Sequence, residues 1–337
     1  MATTIEPDTE SSDRSAVPEL RGNGAGRLTD RTFTLLLLGA GLTVLAVLAA
    51  IVVRTTIDAL PVFRFQGFWN FVSGTEWRAG GSRTEFDGNY GAFPFIFGTL
   101  YTAAIATALA LPLAVAVAVY IVHYAPRRLR TTLSYVVEVL AAVPSIVYGL
   151  WGLLFFVPTF VMPLSNFIAG SVGEVIPYFS GPVRNVNYFH ASVVLAIMIL
   201  PIITAISREI ISAAPVAEQE AAYGLGATRW EVIRGVVLPR SFSGIVGGAM
   251  LGLGRAFGET IAVLMLVGGS QRFDVTRLFF PGDTMAAHIA ATFQDATPPT
   301  VTALLGIGVV LLLVAMVVNM IARLVVWRFG IVGGDSL

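Results

Sequence analysis

The chain of 337 residues contains no cysteine, and all 21 of its basic residues are arginine, none lysine. Without cysteine there are no disulfides, no thiol catalysis and no Cys-ligated metal. Without lysine there is no Schiff-base chemistry and no phosphate-loop lysine, so the chain is not itself an ATPase of the usual kind. Charge is scarce too. Only 12% of residues are charged, against roughly 25% in a soluble domain. That is too little to solvate the surface of a globule of this size. The formal net charge is zero, which removes the cationic excess expected of a nucleic-acid binder. The three histidines, His123, His190 and His288, are scattered. They form no His-x-x-x-His or His/carboxylate cluster and no Ser–His–Asp arrangement, so neither a metal site nor a catalytic centre is expected.

What the chain does have is apolar residues, 55% of the total. They fall into six runs, which predict an all-α membrane protein with spans at about 33–53, 95–122, 133–161, 191–211, 243–268 and 301–327. A run of about 20 residues crosses a hydrocarbon core of ~30 Å. Residues 1–30 are polar and rich in Gly, Ser, Asp and Arg, and read as a disordered tail ahead of a permease-sized domain at 31–330. The first run lacks a small-x-small cleavage site and reads as a retained helix. Pro144 and Pro158 predict a kink or break in the third run. Arginine placement, above all the Arg127, Arg128 and Arg130 cluster, puts both termini in the cytoplasm. Residues 55–92 and 163–190 then face outward, and Thr284 to Phe293 reads as a short re-entrant or interfacial helix. No inverted repeat of the secondary-transporter kind is visible. Glu138 is a candidate to reach the inner interface by snorkelling, or to pair with Arg127 or Arg130.

The cytoplasmic loop 215–240 is patterned. Glu218 and Glu220 follow Pro215, where a helix dipole favours acids. Gly226 can take the positive φ that ends a helix. Trp230, Ile233 and Val237 then give one apolar stripe on a second helix, expected to stop at Pro239. Docking of a partner and packing against the chain's own spans both fit this pattern. In the fifth run, Arg255 and Glu259 stand four apart, on one face of a continuous helix. Ionisable groups at membrane depth cost about 2.5–3.5 kcal/mol on insertion scales unless they pair or meet water. Such a pair either locks the span to a neighbour or serves transport. Gly247, Gly248, Gly252, Gly254 and Gly258 around it allow close helix approach, read as packing against a partner permease, with a hinge as the second reading.

These stretches carry a resemblance. Glu220-Ala221-Ala222, Gly226, and Leu238-Pro239 resemble the EAA loop of ABC importer permeases, a coupling element that sits in a cleft of the cytoplasmic ATPase. Gly254-Arg255-Ala256-Phe257-Gly258-Glu259-Thr260 and Ala142-Val143-Pro144-Ser145 resemble segments of phosphate importer permeases. Tyr90-Gly91, Pro94 and Gly98-Thr99-Leu100 are closer to one of that family's two permease types than to the other, PstA-like type. The resemblance covers about residues 60–325 and implies the type I, MetI-like importer permease fold in a bacterial inner membrane. It implies a PstA-like second permease, a PstB-like ATPase that uses ATP and Mg, and a PstS-like phosphate-binding protein outside. No cofactor is expected on this chain. Arg255 is then expected on the phosphate path, with Glu259 setting its position or affinity. Permeases for molybdate or sulfate share the loop but not the Arg255–Glu259 segment, and a secondary transporter would leave the loop idle.

Overall fold

The computed structural model describes residues 24–271, 274 and 276–329. Residues 1–23 of the expected tail lie outside them. The chain divides into two compact units, Met1–Arg54 and Thr55–Leu337. The first is described from Gly24, where α1 (Gly24–Gln66) begins. From Phe33 to Val53 its large apolar side chains are exposed around the whole circumference, as suits a helix solvated by lipid.

In the second unit the chain beyond α1 forms α2 (Phe68–Ser73), then strands β1 (Trp77–Arg78) and β2 (Asn89–Tyr90), antiparallel with Trp77 opposite Tyr90. Helix α3 (Phe93–Val119) is prolonged by a π-turn at Tyr120–Tyr124 and followed by α4 (Arg127–Ala142). Next come α5 (Ser145–Trp151), a π-helical stretch at Gly152–Val161, α6 (Met162–Val175) and α7 (Tyr188–Ser212). The loop region holds α8 (Val216–Gly224), α9 (Arg229–Val232) and a π-turn at Ile233–Val237. It leads into α10 (Leu238–Gly258), α11 (Ile261–Val267), α12 (Met285–Thr292) and α13 (Pro298–Phe329). Among the described residues six helical segments are long and apolar enough to cross a membrane: Arg31–Gln66, Phe93–Tyr124, Ser145–Val175, Tyr188–Ser212, Arg229–Gly258 and Pro298–Arg328.

Helix α7 is the centre of the second unit. The face Ala103, Ala106, Ala110, Ala114 of α3 is fully buried and shares one core with Val194, Leu195, Met198, Ile199 and Ile203 of α7. Alanines let the two backbones approach closely, so dispersion replaces the hydrophobic drive that lipid cannot supply. Helix α10 also packs on α7, presenting Gly244, Gly248 and Gly252 to Ile210, Ile206 and Ile203. A Cβ on Gly244 would come within 2.5 Å of Ile210.

Three spans differ from the sequence reading, the first because its helix runs on to Gln66 and not only to 53. The third is Ser145–Val175, not 133–161. Val143 precedes proline and takes ψ 130°, which ends α4 at Ala142. Pro158 does not break the helix, because the wide π stretch accommodates its ring and missing N–H. The far segment therefore starts near Ile176 and not at 163. The fifth run is not one helix across 243–268: α10 ends at Gly258 and α11 restarts at Ile261. Nor does Pro239 stop a helix. It lies in the first turn of α10, just after the π-turn at Ile233–Val237, and the helical path continues through it. Glu138 pairs with Arg208 of α7 at 3.1 Å, not with Arg127 or Arg130, which fastens α4 to α7.

Candidate functional site

The α8–α9 region is built from local signals. Helix α8 ends in a Schellman arrangement: Gly226 N–H donates to Tyr223 O at 2.9 Å and Ala227 N–H to Ala222 O at 3.1 Å. That closure needs the left-handed φ of 86° that Gly226 supplies. Thr228 and Glu231 then form a reciprocal capping box at the start of α9. Arg240 donates to both carboxylate oxygens of Glu218, at 2.8 and 2.6 Å, clamping α8 to the first turn of α10. Neither the clamp nor the Glu138–Arg208 pair was apparent from the sequence, because their partners lie 22 and 70 residues apart. The guanidinium of Arg229 sits 5.3 Å over the Tyr124 ring, tying α9 to the end of the α3 segment.

The expected apolar stripe divides. Ile233 and Val237 are fully buried in a core with Ile211 and Val232, whereas Trp230 is 57% exposed. Trp230 therefore joins Tyr223 and Leu225, the last 90% exposed, on the open surface of the loop. Glu220 and Ala221 are exposed beside them, Ala222 is half-buried, and Leu238 and Pro239 sit half-buried where α10 begins. Among the described residues Glu220 forms no ion pair. The loop is thus anchored on one side and apolar with a free carboxylate on the other.

Arg255 lies in the last turn of α10, where a cation meets the negative end of the helix dipole. Its Nε is buried and, among the described residues, has no hydrogen-bond partner. A buried guanidinium N–H left unmatched costs roughly 1–3 kcal/mol, a cost that an incoming oxyanion would remove. Glu259 is not on the same helical face. It follows the end of α10 with ψ 124°, and its Oε1 accepts the Ala262 N–H at 3.3 Å, holding the restart at α11. Among the described residues Arg255 and Glu259 form no ion pair. The turn between them, Gly258-Glu259-Thr260, has no proline, so no sequence signal marked it.

The five glycines separate into two faces. Gly248 and Gly252 pack against this chain's own α7, while Gly247, Gly254 and Gly258 face open space. Leu251, 63% exposed, lies on the open face.

A protein-family profile described as binding-protein-dependent transport system inner membrane component matches residues 110–330. The chain belongs to that family and is an inner-membrane permease component of an ABC transporter. It is similar to the phosphate transport system permease protein PstC of Xylella fastidiosa, 39% identical over 302 residues, covering 89% of this chain and 91% of the relative. It is likewise similar to PstC of Haemophilus influenzae, 38% identical, covering 85% and 90%. PstC 2 of Mycobacterium tuberculosis is 37% identical, covering 88% and 91%. Among solved structures, a chain of the MetNI methionine ABC transporter in an inward-facing conformation matches with TM-score 0.51 and 18% identity, over 70% of this chain and 94% of that one. That likeness bears out the MetI-like importer permease fold.

Proposed function

We infer that this chain is the permease subunit of an ATP-driven phosphate importer, and that it forms the phosphate path together with a second, PstA-like permease. The observation that carries the reading is Arg255: a permanently charged fork, unmatched at Nε, at the end of a membrane-spanning helix. The relatives named as phosphate transport permeases support it. A phosphate anion in a low-dielectric span faces a large barrier, and a fixed guanidinium lowers it by offering two parallel donors to oxyanion oxygens. Glu259 acts as a positioning residue. By holding the start of α11 it fixes the turn that ends α10 just beyond Arg255.

Power comes from outside the chain. A PstB-like ATPase hydrolyses ATP with Mg, and a PstS-like receptor delivers phosphate to the outer face. The loop face formed by Glu220, Ala221, Tyr223, Leu225 and Trp230 docks in the ATPase. Closure of the ATPase pair moves that face, and the anchoring through Gly226, the Glu218–Arg240 clamp, Leu238 and Pro239 passes the motion into α10 and hence to Arg255. Both termini lie in the cytoplasm, on the ATPase side.

The test is uptake of labelled phosphate by the reconstituted four-component complex, with sulfate and molybdate as competitors. ATP-dependent uptake that only phosphate competes is the expected result. Competition by the other oxyanions would widen the substrate class, and uptake without the ATPase would end the importer reading.

A further inference from the structure

At the end of the second unit away from α8 and α9, two segments frame a cavity of about 330 Å³ lined by Arg184, Arg277, Phe279, Phe280 and Pro281, with Gly181 at its edge. It lies beside Gly268, where α11 ends. Arg255 stands 13 residues back along the chain, beyond the break between α10 and α11. We propose that this cavity is an anion-holding site for a phosphate group at the far mouth of the bundle, a station that phosphate occupies before it reaches Arg255. The proposal deepens the importer reading and rests on it.

Both guanidinia hang from a fixed backbone. The Arg184 carbonyl accepts Asn187 Nδ2–H at 2.8 Å, and the same Asn187 caps α7 through the His190 N–H. Leu278, next to Arg277, is buried and donates its N–H to Tyr178 O at 2.9 Å. Phe280 O accepts from Tyr188 N–H, and Gly282 N–H donates to Val267 O, so the two segments are stitched together across the cavity floor. A fixed backbone beneath the donors means that an anion can bind without ordering a loop first.

The donors are also unspent. Arg184 forms no ion pair among the described residues. Among the described residues Arg277 has one ionic partner, Asp274, at 3.6 Å, too long for a hydrogen bond. Asp274 stays ionised, because the Thr276 hydroxyl and amide hold its carboxyl below the usual range. The cavity therefore keeps a net positive charge, with one guanidinium balanced and one free. That balance suits a transient stop: an anion is attracted but not trapped. Phe279, Phe280 and Pro281 wall one side, while Arg184 and Arg277 are exposed and reachable by an anion arriving from water.

Phosphate oxygens could come from free inorganic phosphate or from a lipid headgroup, and footprinting separates them. The intact complex is placed in nanodiscs without ATP and treated with phenylglyoxal, which modifies arginine. Modification is read at each residue by peptide mass spectrometry, with exposed Arg78 as the reference. Expected in nanodiscs of phosphatidylcholine alone: inorganic phosphate slows modification of Arg184 and Arg277 about tenfold, with Arg78 unchanged. Protection that appears only with phosphatidylglycerol, and without added phosphate, would assign the site to a headgroup and overturn its place on the path. Protection only by the phosphate-free receptor would overturn the anion site in favour of a docking surface, and no protection would overturn it outright. Phosphate protection in a complex that shows no ATP-driven uptake would retire the importer reading and leave the site standing. Uptake without protection would do the reverse.

Discussion

Arg255 and Glu259 were legible as residues but not as a pair. An arginine and a glutamate inside an apolar run stand out in any sequence, because burying either is costly. Their relation depended on the turn after Gly258, and Gly-Glu-Thr carries no signal strong enough to predict a break. The geometry changes what each variant should do. Arg255→Gln removes the fixed charge, so phosphate uptake should fall about tenfold or more while the complex still assembles. Normal uptake in that variant would take Arg255 off the path. For Glu259, two variants divide charge from cap. Glu259→Gln keeps a carbonyl oxygen for the Ala262 N–H, so stability should stay within about 0.5 kcal/mol and most uptake should survive. Glu259→Ala leaves the N–H without its partner and should cost about 1 kcal/mol and most of the transport. Uptake lost equally in both variants would mean that the carboxylate charge, not the cap, is what transport needs. Unfolding midpoints and initial uptake rates on the same preparations decide it.

Among the elements, the six apolar runs gave the spans, and the errors arose where proline met a π-turn and at the proline-free break after Gly258. Val143-Pro144 behaved as a pre-proline break, which the sequence did announce. Pro158 and Pro239 did not break their helices, because the π stretch around the first and the π-turn just before the second give the ring room, and π-turns have no sequence signature. The glycines of α10 show the same limit. Spacing marked them as a small-residue helix but could not say which face would be covered. The structure predicts opposite results for neighbours. Gly248→Leu should be destabilising by about 1–3 kcal/mol, since the Cβ alone would stand 3.1 Å from Ile206 Cγ2. A Cβ at Gly247 meets nothing within 4 Å, and a leucine there has the cavity shared with Asn319, Ala322 and Val326 to enter, so Gly247→Leu should fold normally. If the open face seats the second permease, Gly247→Leu should instead reduce co-purification of that subunit. A thermal melt of each variant chain, followed by pull-down of the partner, separates the two effects. Gly98 offers a harsher control. Its Cβ would stand 1.9 Å from the Asp283 carbonyl oxygen, a backbone atom that cannot swing aside. Gly98→Ala should therefore lower the melting temperature more than Gly248→Ala does, because Ile206 can turn and the Asp283 carbonyl cannot.

Across the whole molecule, transport requires that motion at one end reach the other, and the bundle is wired through one helical path. From Arg229 the chain runs helically to Gly258, so a push on α9 is delivered to the turn that carries Arg255. The sequence located this loop by its Glu220, Gly226 and Leu238-Pro239 pattern. It missed which side of the loop is free, because Trp230, Ile233 and Val237 share a spacing but not a face. That difference gives the clearest whole-complex prediction. Leu225 is 90% exposed and touches no core, so Leu225→Glu should leave the stability of the permease within about 0.5 kcal/mol. If the exposed face docks in the ATPase, the same change sets an unpaired charge in an apolar contact. The ATPase should then co-purify poorly and phosphate uptake should fall about tenfold or more. Ile233→Glu is the contrasting variant: its side chain is fully buried, so it should lower permease stability before any effect on docking can be read. The measurement is co-purification of the ATPase alongside a permease melt for each variant. A Leu225→Glu permease that folds, binds the ATPase and transports at the normal rate would place the docking face elsewhere. The helical route from Arg229 to Arg255 would then have no input at this end.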